Sequence, residues 1–160
     1  MARLSDLKLR YQIYMRRYRY RSVEWLPGAR LKEPLSSARL ALVTTAALHL
    51  PNQPPFDTSV KGGDVTFRII PSDTNLQKLC ISHKSDAFDP QGIAADRNLA
   101  FPLERLNHLK NEGTIGSLNY RHFSFMGSIT APDRLISETA PEVARLLAED
   151  QVSAVLLTPV

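Results

Sequence analysis

The sequence predicts an α/β fold: a layered, mainly parallel sheet with covering helices, incomplete at the C-terminus. Two apolar runs without period-two alternation, residues 40–46 and 152–160, read as strands covered on both faces. Between them lie two amphipathic stretches with helix start and stop signals, and that alternation of strand and helix is the mark of a layered α/β domain.

In chain order, Leu4, Leu7, Tyr11, Tyr14 and Tyr18 are spaced to share one helix face, with Arg3, Arg10 and Arg17 seven apart on its flank. This predicts an amphipathic basic extension over residues 1–35 that docks on a partner subunit or on the body, broken from it by Leu26-Pro27-Gly28. The body, residues 36–160, opens on the strand 40–46, which begins at Leu40. Residues 51–63 hold three prolines and two glycines and read as a loop, while 66–70 and 79–82 are short strands. Residues 102–112 form a helix with Pro102 in its first turn, a Leu103, Leu106, Leu109 stripe and Gly113 as a left-handed stop. In the helix at 139–150, Thr139 and Glu142 form a capping box and Val143, Leu146 and Leu147 face inward. The final run, 152–160, belongs inside a sheet with helices over both faces. The expected next element is a turn and a covering helix, whose N-terminus would stabilise a thiolate or selenolate.

The 160 residues are 43% apolar and 22% charged, which excludes disordered and collagen-like classes. No apolar run is long enough to span a bilayer and no signal-peptide core is present, so a cytoplasmic location with no membrane partner is expected. The net charge of +4 is unevenly placed: residues 1–39 carry +7 and residues 40–160 carry −3. The basic character is therefore local, and nucleic acid is not an expected partner. A lone cysteine, Cys80, excludes an internal disulfide and reads as an inert core residue. His108 lies in a polar stretch of helix and reads as solvated.

Several ordered segments carry a family likeness: Ala41-Leu42-Val43-Thr44-Thr45-Ala46-Ala47-Leu48-His49-Leu50, Gln53-Pro54-Pro55-Phe56-Asp57 and Ile81-Ser82-His83. They continue with Asp96-Arg97-Asn98-Leu99-Ala100-Phe101-Pro102-Leu103-Glu104-Arg105-Leu106, Gly113-Thr114-Ile115-Gly116-Ser117-Leu118 and Arg121-His122-Phe123-Ser124-Phe125-Met126-Gly127. Thr139-Ala140-Pro141-Glu142 and Ala154-Val155-Leu156-Leu157-Thr158-Pro159-Val160 complete the series. Over residues 23–160 the chain resembles the selenoprotein B family of glycine, sarcosine, betaine and D-proline reductases. The resemblance implies reductive cleavage of a carbon–nitrogen bond beside a carboxylate, with thiol or thioredoxin-like electron donors and other reductase subunits as partners. It also implies a selenocysteine or cysteine after Val160, at a codon readable as a stop, so that the chain as it stands is inactive. A pyruvoyl group, where one is used, would belong to a partner subunit.

Within that frame Thr44, Thr45 and Thr158, at strand ends, are candidates to hydrogen-bond a substrate carboxylate or the selenolate. His49, His83 and His122 are candidate general acids for the departing amine, with His83 or His122 expected as a cation near the strand end. Arg97 and Arg121 are candidate bidentate partners of the substrate carboxylate. His83, Asp86, Asp89 and Asp96 show none of the usual metal-ligand spacings, and no metal or chain-borne cofactor is expected. Two other readings stand beside this one: a non-catalytic binding or assembly subunit of the same fold, and a racemase-like α/β enzyme, which would want two thiols.

Overall fold

The computed structural model describes Ser5 and residues 8–18, 28–85, 88 and 90–160. Arg3, Leu4, Leu7, the Leu26-Pro27 break, Asp86 and Asp89 lie outside the described residues. The chain divides into two compact units, Met1–Arg30 and Leu31–Val160. In the first, α1 (Leu9–Arg17) has no buried residue. The Tyr14 and Tyr18 rings lie 5.5 Å apart, as their four-residue spacing dictates, and the Arg10 guanidinium sits over the Tyr11 ring.

The second unit is an α/β body with a mainly parallel sheet. Its central strand is β1 (Arg39–Thr44), flanked by a short turn into β2 (Leu48–His49), and β3 (Arg68–Pro71) follows the long loop. Then come β4 (Cys80–Ile81), α2 (Pro90–Ala95), α3 (Leu103–Asn111), β5 (Ser117–Leu118) and β6 (Arg121–Ser124). A π-helical turn at Leu135–Thr139 runs into α4 (Ala140–Glu149), and β7 (Ala154–Thr158) closes the series. β1 pairs in parallel with β5 and β6 on one side and with β7 on the other, and β3 adds antiparallel to β6. β2 and β4 form a separate antiparallel pair.

β5 and β6 are one strand interrupted at Asn119-Tyr120. Leu40 faces Leu118 and Val43 faces Phe123, so three steps along β1 match five along its neighbour. Leu42 N–H falls in the gap and donates instead to His122 Nδ1 at 3.0 Å, an imidazole standing where a ladder carbonyl would be. Asn119 keeps its N–H on the Leu40 carbonyl at 2.7 Å, while its side chain and that of Tyr120 turn toward Asp150.

Helices cover both faces at β1. Leu40, Leu42, Leu48, Ile93, Ala100, Phe101, Leu103 and Leu106 form the core under α2 and α3. Phe123, Phe125 and Val143, with Val43, Leu146 and Leu147 against them, form the core under α4. Burial of each fully buried Leu, Ile, Phe or Val among them contributes roughly 1.5–3 kcal/mol.

Several expectations need correction. β7 is not inside the sheet: it pairs with β1 alone, and Val155, Leu156 and Leu157 are exposed. The pairing is also shorter than the apolar run, five residues against nine. Thr139 is not an N-cap. It is itself helical, because the π turn begins four residues earlier, and its hydroxyl donates to the Val65 carbonyl at 2.8 Å. Cys80 is half-exposed rather than buried, since β4 pairs on one edge only. Leu109, at the far end of the α3 stripe, is exposed, as is His108.

Candidate functional site

The carboxyl ends of β6, β1 and β7 lie side by side, and the register puts Ser124, Thr44 and Thr158 at one level across the three strands. In open α/β sheets this end is where ligands bind, because the loops diverge there. The Thr44 hydroxyl donates to the Thr158 carbonyl at 3.3 Å and accepts the Ala46 amide at 3.2 Å. Thr158 Oγ1 donates to the Ala100 carbonyl at 2.7 Å, tying β7 to the α2–α3 layer. Ser124 Oγ, fully buried, has no partner among the described residues.

Thr45 stands one residue beyond β1. Its Oγ1 accepts the Val160 amide at 2.9 Å and lies 3.4 Å from the Val160 carbonyl, toward which it donates. Gly127 makes that approach possible: a Cβ there would stand 3.0 Å from both Thr45 Oγ1 and the Val160 carbonyl. Beside it opens a cavity of about 330 Å³ lined by Thr45, Phe125, Met126, Gly127, Ile129 and Leu135, among others. It is an apolar recess in whose lining Thr45 is the one residue with a polar side chain. Ala47, held in a left-handed conformation (φ 54), turns the chain away from this edge, its N–H on the Phe125 carbonyl and its C=O on the Ser82 amide.

The three histidines are each held by separate partners. His122 is fully buried, its Nδ1 occupied by Leu42 N–H, and burial lowers its pKa to about 4. His83 stacks on Phe88 at 4.2 Å and accepts the Ser85 amide, and burial lowers its pKa as well. The cation expected beside the strand end is thus disfavoured at both. His49 Nδ1 is 2.9 Å from the Leu50 carbonyl, which can only accept, so the proton is on Nδ1 and the Ser82 hydroxyl donates to Nε2 at 2.9 Å. Among the described residues no three His, Cys, Asp or Glu side chains cluster as metal ligands would.

Neither arginine reaches the strand-end threonines. Arg121 begins β6, at the opposite end from Ser124, and its fork grips Asp150 at 2.6 and 2.8 Å. Asn119 and Tyr120 donate to the same carboxylate, each at 2.8 Å, and the Arg121 hydrogen bonds lead in holding the Asp150 pKa down to about 2. Arg97 donates to the Ile93 and Leu79 carbonyls, joining α2 to the segment before β4.

Ser124, Gly127 and Asp150 were not among the sequence candidates. The signal for Ser124 was present: His122-Phe123-Ser124-Phe125 alternates with period two, which places the two polar side chains on one face and the two phenylalanines on the other.

Residues 6–160 match the profile of the family described as glycine/sarcosine/betaine reductase selenoprotein B. Among curated proteins, the D-proline reductase subunit gamma of Acetoanaerobium sticklandii is 34% identical over 134 residues, which are 84% of this chain and 52% of that one. The chain therefore spans about half the length of the curated relative it matches. No solved structure matches it. The profile match takes in both the strand-end residues Thr44, Thr45 and Thr158 and the Asp150 cluster, and the chain belongs to the glycine/sarcosine/betaine reductase selenoprotein B family.

Proposed function

We propose that the chain forms the strand-end half of a reductase subunit that cleaves a carbon–nitrogen bond beside a carboxylate. Glycine, sarcosine, betaine and D-proline are the substrate class. The observation that carries this reading is the Thr45–Val160 contact beside the apolar cavity, at the carboxyl edge of three parallel strands. A selenocysteine or cysteine following β7 would supply a soft anionic nucleophile, with electrons returned by a thiol or thioredoxin-like donor.

The residues present fit such a group. Thr45 holds the backbone at Val160 through both its N–H and its C=O, which orients whatever follows. Gly127 removes the side chain that would block the approach. Phe125, Met126, Ile129 and Leu135 exclude water on one side, which strengthens any hydrogen bond made there. No arginine lines the cavity, and the Thr45 hydroxyl directs its one proton to the Val160 carbonyl, so in this reading the substrate carboxylate is held by groups outside this lining, on a partner subunit. In this reading the amine's proton comes from outside the buried histidines, because His122 and His83 are held toward their neutral forms. Other reductase subunits complete the enzyme, and a pyruvoyl group, where one is used, resides on one of them.

The test has two arms. Reading the nucleotide sequence after codon 160 should show UGA or a cysteine codon within an open frame, and UAA, UAG or any other sense codon there would remove the selenocysteine-or-cysteine reading. The protein expressed from its full locus, with its partner subunits, should consume one of the four substrates with dithiothreitol as donor. Thr45→Val should then lower kcat/KM at least tenfold with an unchanged melting temperature, and undiminished turnover by that variant would refute the site.

A further inference from the structure

We infer that the outer edge of β7 is an interaction surface, and that its occupant is the polypeptide corresponding to the part of the relative's length this chain does not span. β7 hydrogen-bonds to β1 alone, so the alternate N–H and C=O groups on its other edge have no strand to receive them among the described residues. Its side chains are apolar on both faces: Leu156 is 38% exposed on the α3 side, and Val155 at 38% and Leu157 at 66% on the α4 side. Leu99, 65% exposed, immediately precedes Ala100, whose carbonyl takes the Thr158 hydroxyl.

Edge strands that stay solvated are blunted by charges, bulges or an interrupting proline. Residues 152–158 carry no charge and no proline, and all five residues of β7 keep unbroken register with β1. Parallel strands are ordinarily covered on both faces, and here the two covering layers give out at β7. The fitting occupant must therefore bring a strand for the edge and apolar groups for both faces, which is what a continuing strand-and-helix unit of roughly 30 residues supplies. Such a length is at hand in the relative: 134 matched residues make up 52% of the D-proline reductase subunit gamma, and the rest of that protein lies outside the match. This inference uses family membership and strand geometry and not the redox reading, so either stands without the other.

The test co-expresses this chain with the residues of the Acetoanaerobium sticklandii subunit that lie outside the matched 134. A one-to-one complex by light scattering is expected, with amide exchange at residues 154–158 slowed at least tenfold against the chain alone. Val155→Lys and Leu157→Lys should each weaken the complex at least tenfold, and Ile136→Lys, exposed elsewhere, should not. Absence of a complex, or a complex that leaves the β7 amides unprotected, overturns the inference. Protection of β7 in the chain alone, rising with concentration, would overturn it in favour of a second copy pairing edge to edge.

Discussion

Asp150→Asn is expected to remove a large share of the stability of the body while leaving the shape of the side chain intact. The Asp150 carboxylate accepts two bonds from Arg121 and one each from Asn119 and Tyr120, divided evenly between its two oxygens. An amide nitrogen in place of Oδ2 faces two obligate donors, Asn119 Nδ2 and Arg121 Nε, and in place of Oδ1 it faces the Arg121 Nη2 donor. It also leaves the Arg121 guanidinium, whose side chain is 18% exposed, without its counter-ion. Unpairing a buried ion costs about 3–5 kcal/mol, and the partial exposure places this case near 3. The pH dependence gives a second reading of the same cluster. A carboxyl moved from 3.8 to about 2 corresponds to roughly 2.5 kcal/mol, which solvent near the site reduces to about 1–2. Since the folded pKa is depressed, that stability is present above pH 3.8 and lost as pH falls through about 2. Urea melts followed by circular dichroism should show the variant about 3 kcal/mol less stable at pH 7, the gap narrowing toward pH 2.5. A variant within 0.5 kcal/mol of the parent (on the order of ordinary surface substitutions), or a gap constant with pH, would refute the reasoning.

Burial of His122 also makes stability pH-dependent, in a different window. Its folded pKa of about 4 lies below the ordinary 6.5, so the neutral form's advantage is complete above pH 6.5 and is lost as pH falls to about 4. The difference approaches 3 kcal/mol, and NMR titration of the ring should find no inflection near 6.5. His122→Ala leaves the Leu42 amide without an acceptor and should cost about 2–4 kcal/mol in a thermal melt. Gly63→Ala should cost more than about 2 kcal/mol, because a Cβ there meets the Ser128 carbonyl at 2.5 Å at a φ of +101. Cys80, half-exposed, should react stoichiometrically with a thiol reagent in the native protein, and a thiol titratable only in denaturant would restore the buried assignment.

The elements that sequence made legible are those whose signals are local. α3 and α4 carry a proline in or before the first turn and a leucine stripe, and they appear within a few residues of their expected bounds. β1 is an unbroken apolar run because both of its faces are covered. The signals failed where a partner distant in sequence decides the outcome. β5 and β6 are short and interrupted, and their strand character comes from pairing with β1 and, for β6, with β3, partners distant in sequence that no window of neighbouring residues records. Thr139 has the spacing of a capping box, yet the turn before it is already helical and its hydroxyl goes to Val65, 74 residues away. The arginines were legible as ion-pairing groups but not by partner: Arg121 meets Asp150 across 29 residues, an intramolecular carboxylate where a substrate's was expected. Of the strand-end threonines, Thr44 and Thr158 come together because parallel strands in register align their ends, and that juxtaposition followed from the fold class alone.

The interruption between β5 and β6 also restricts how the family can vary in length. Leu118 to Ser124 is six steps along the chain while their partners Leu40 to Thr44 are four, an excess of two. Because strand side chains alternate, an even excess leaves both halves presenting the same faces, so that Leu118 and Ser124 stay on the α3 side. Loss or gain of one residue at Asn119-Tyr120 would turn one half over, sending Phe123 into the row of hydroxyls or Leu118 out of its core. Insertions and deletions at this point are therefore expected in pairs across natural homologues, and an odd one should coincide with compensating change in the residues of β6.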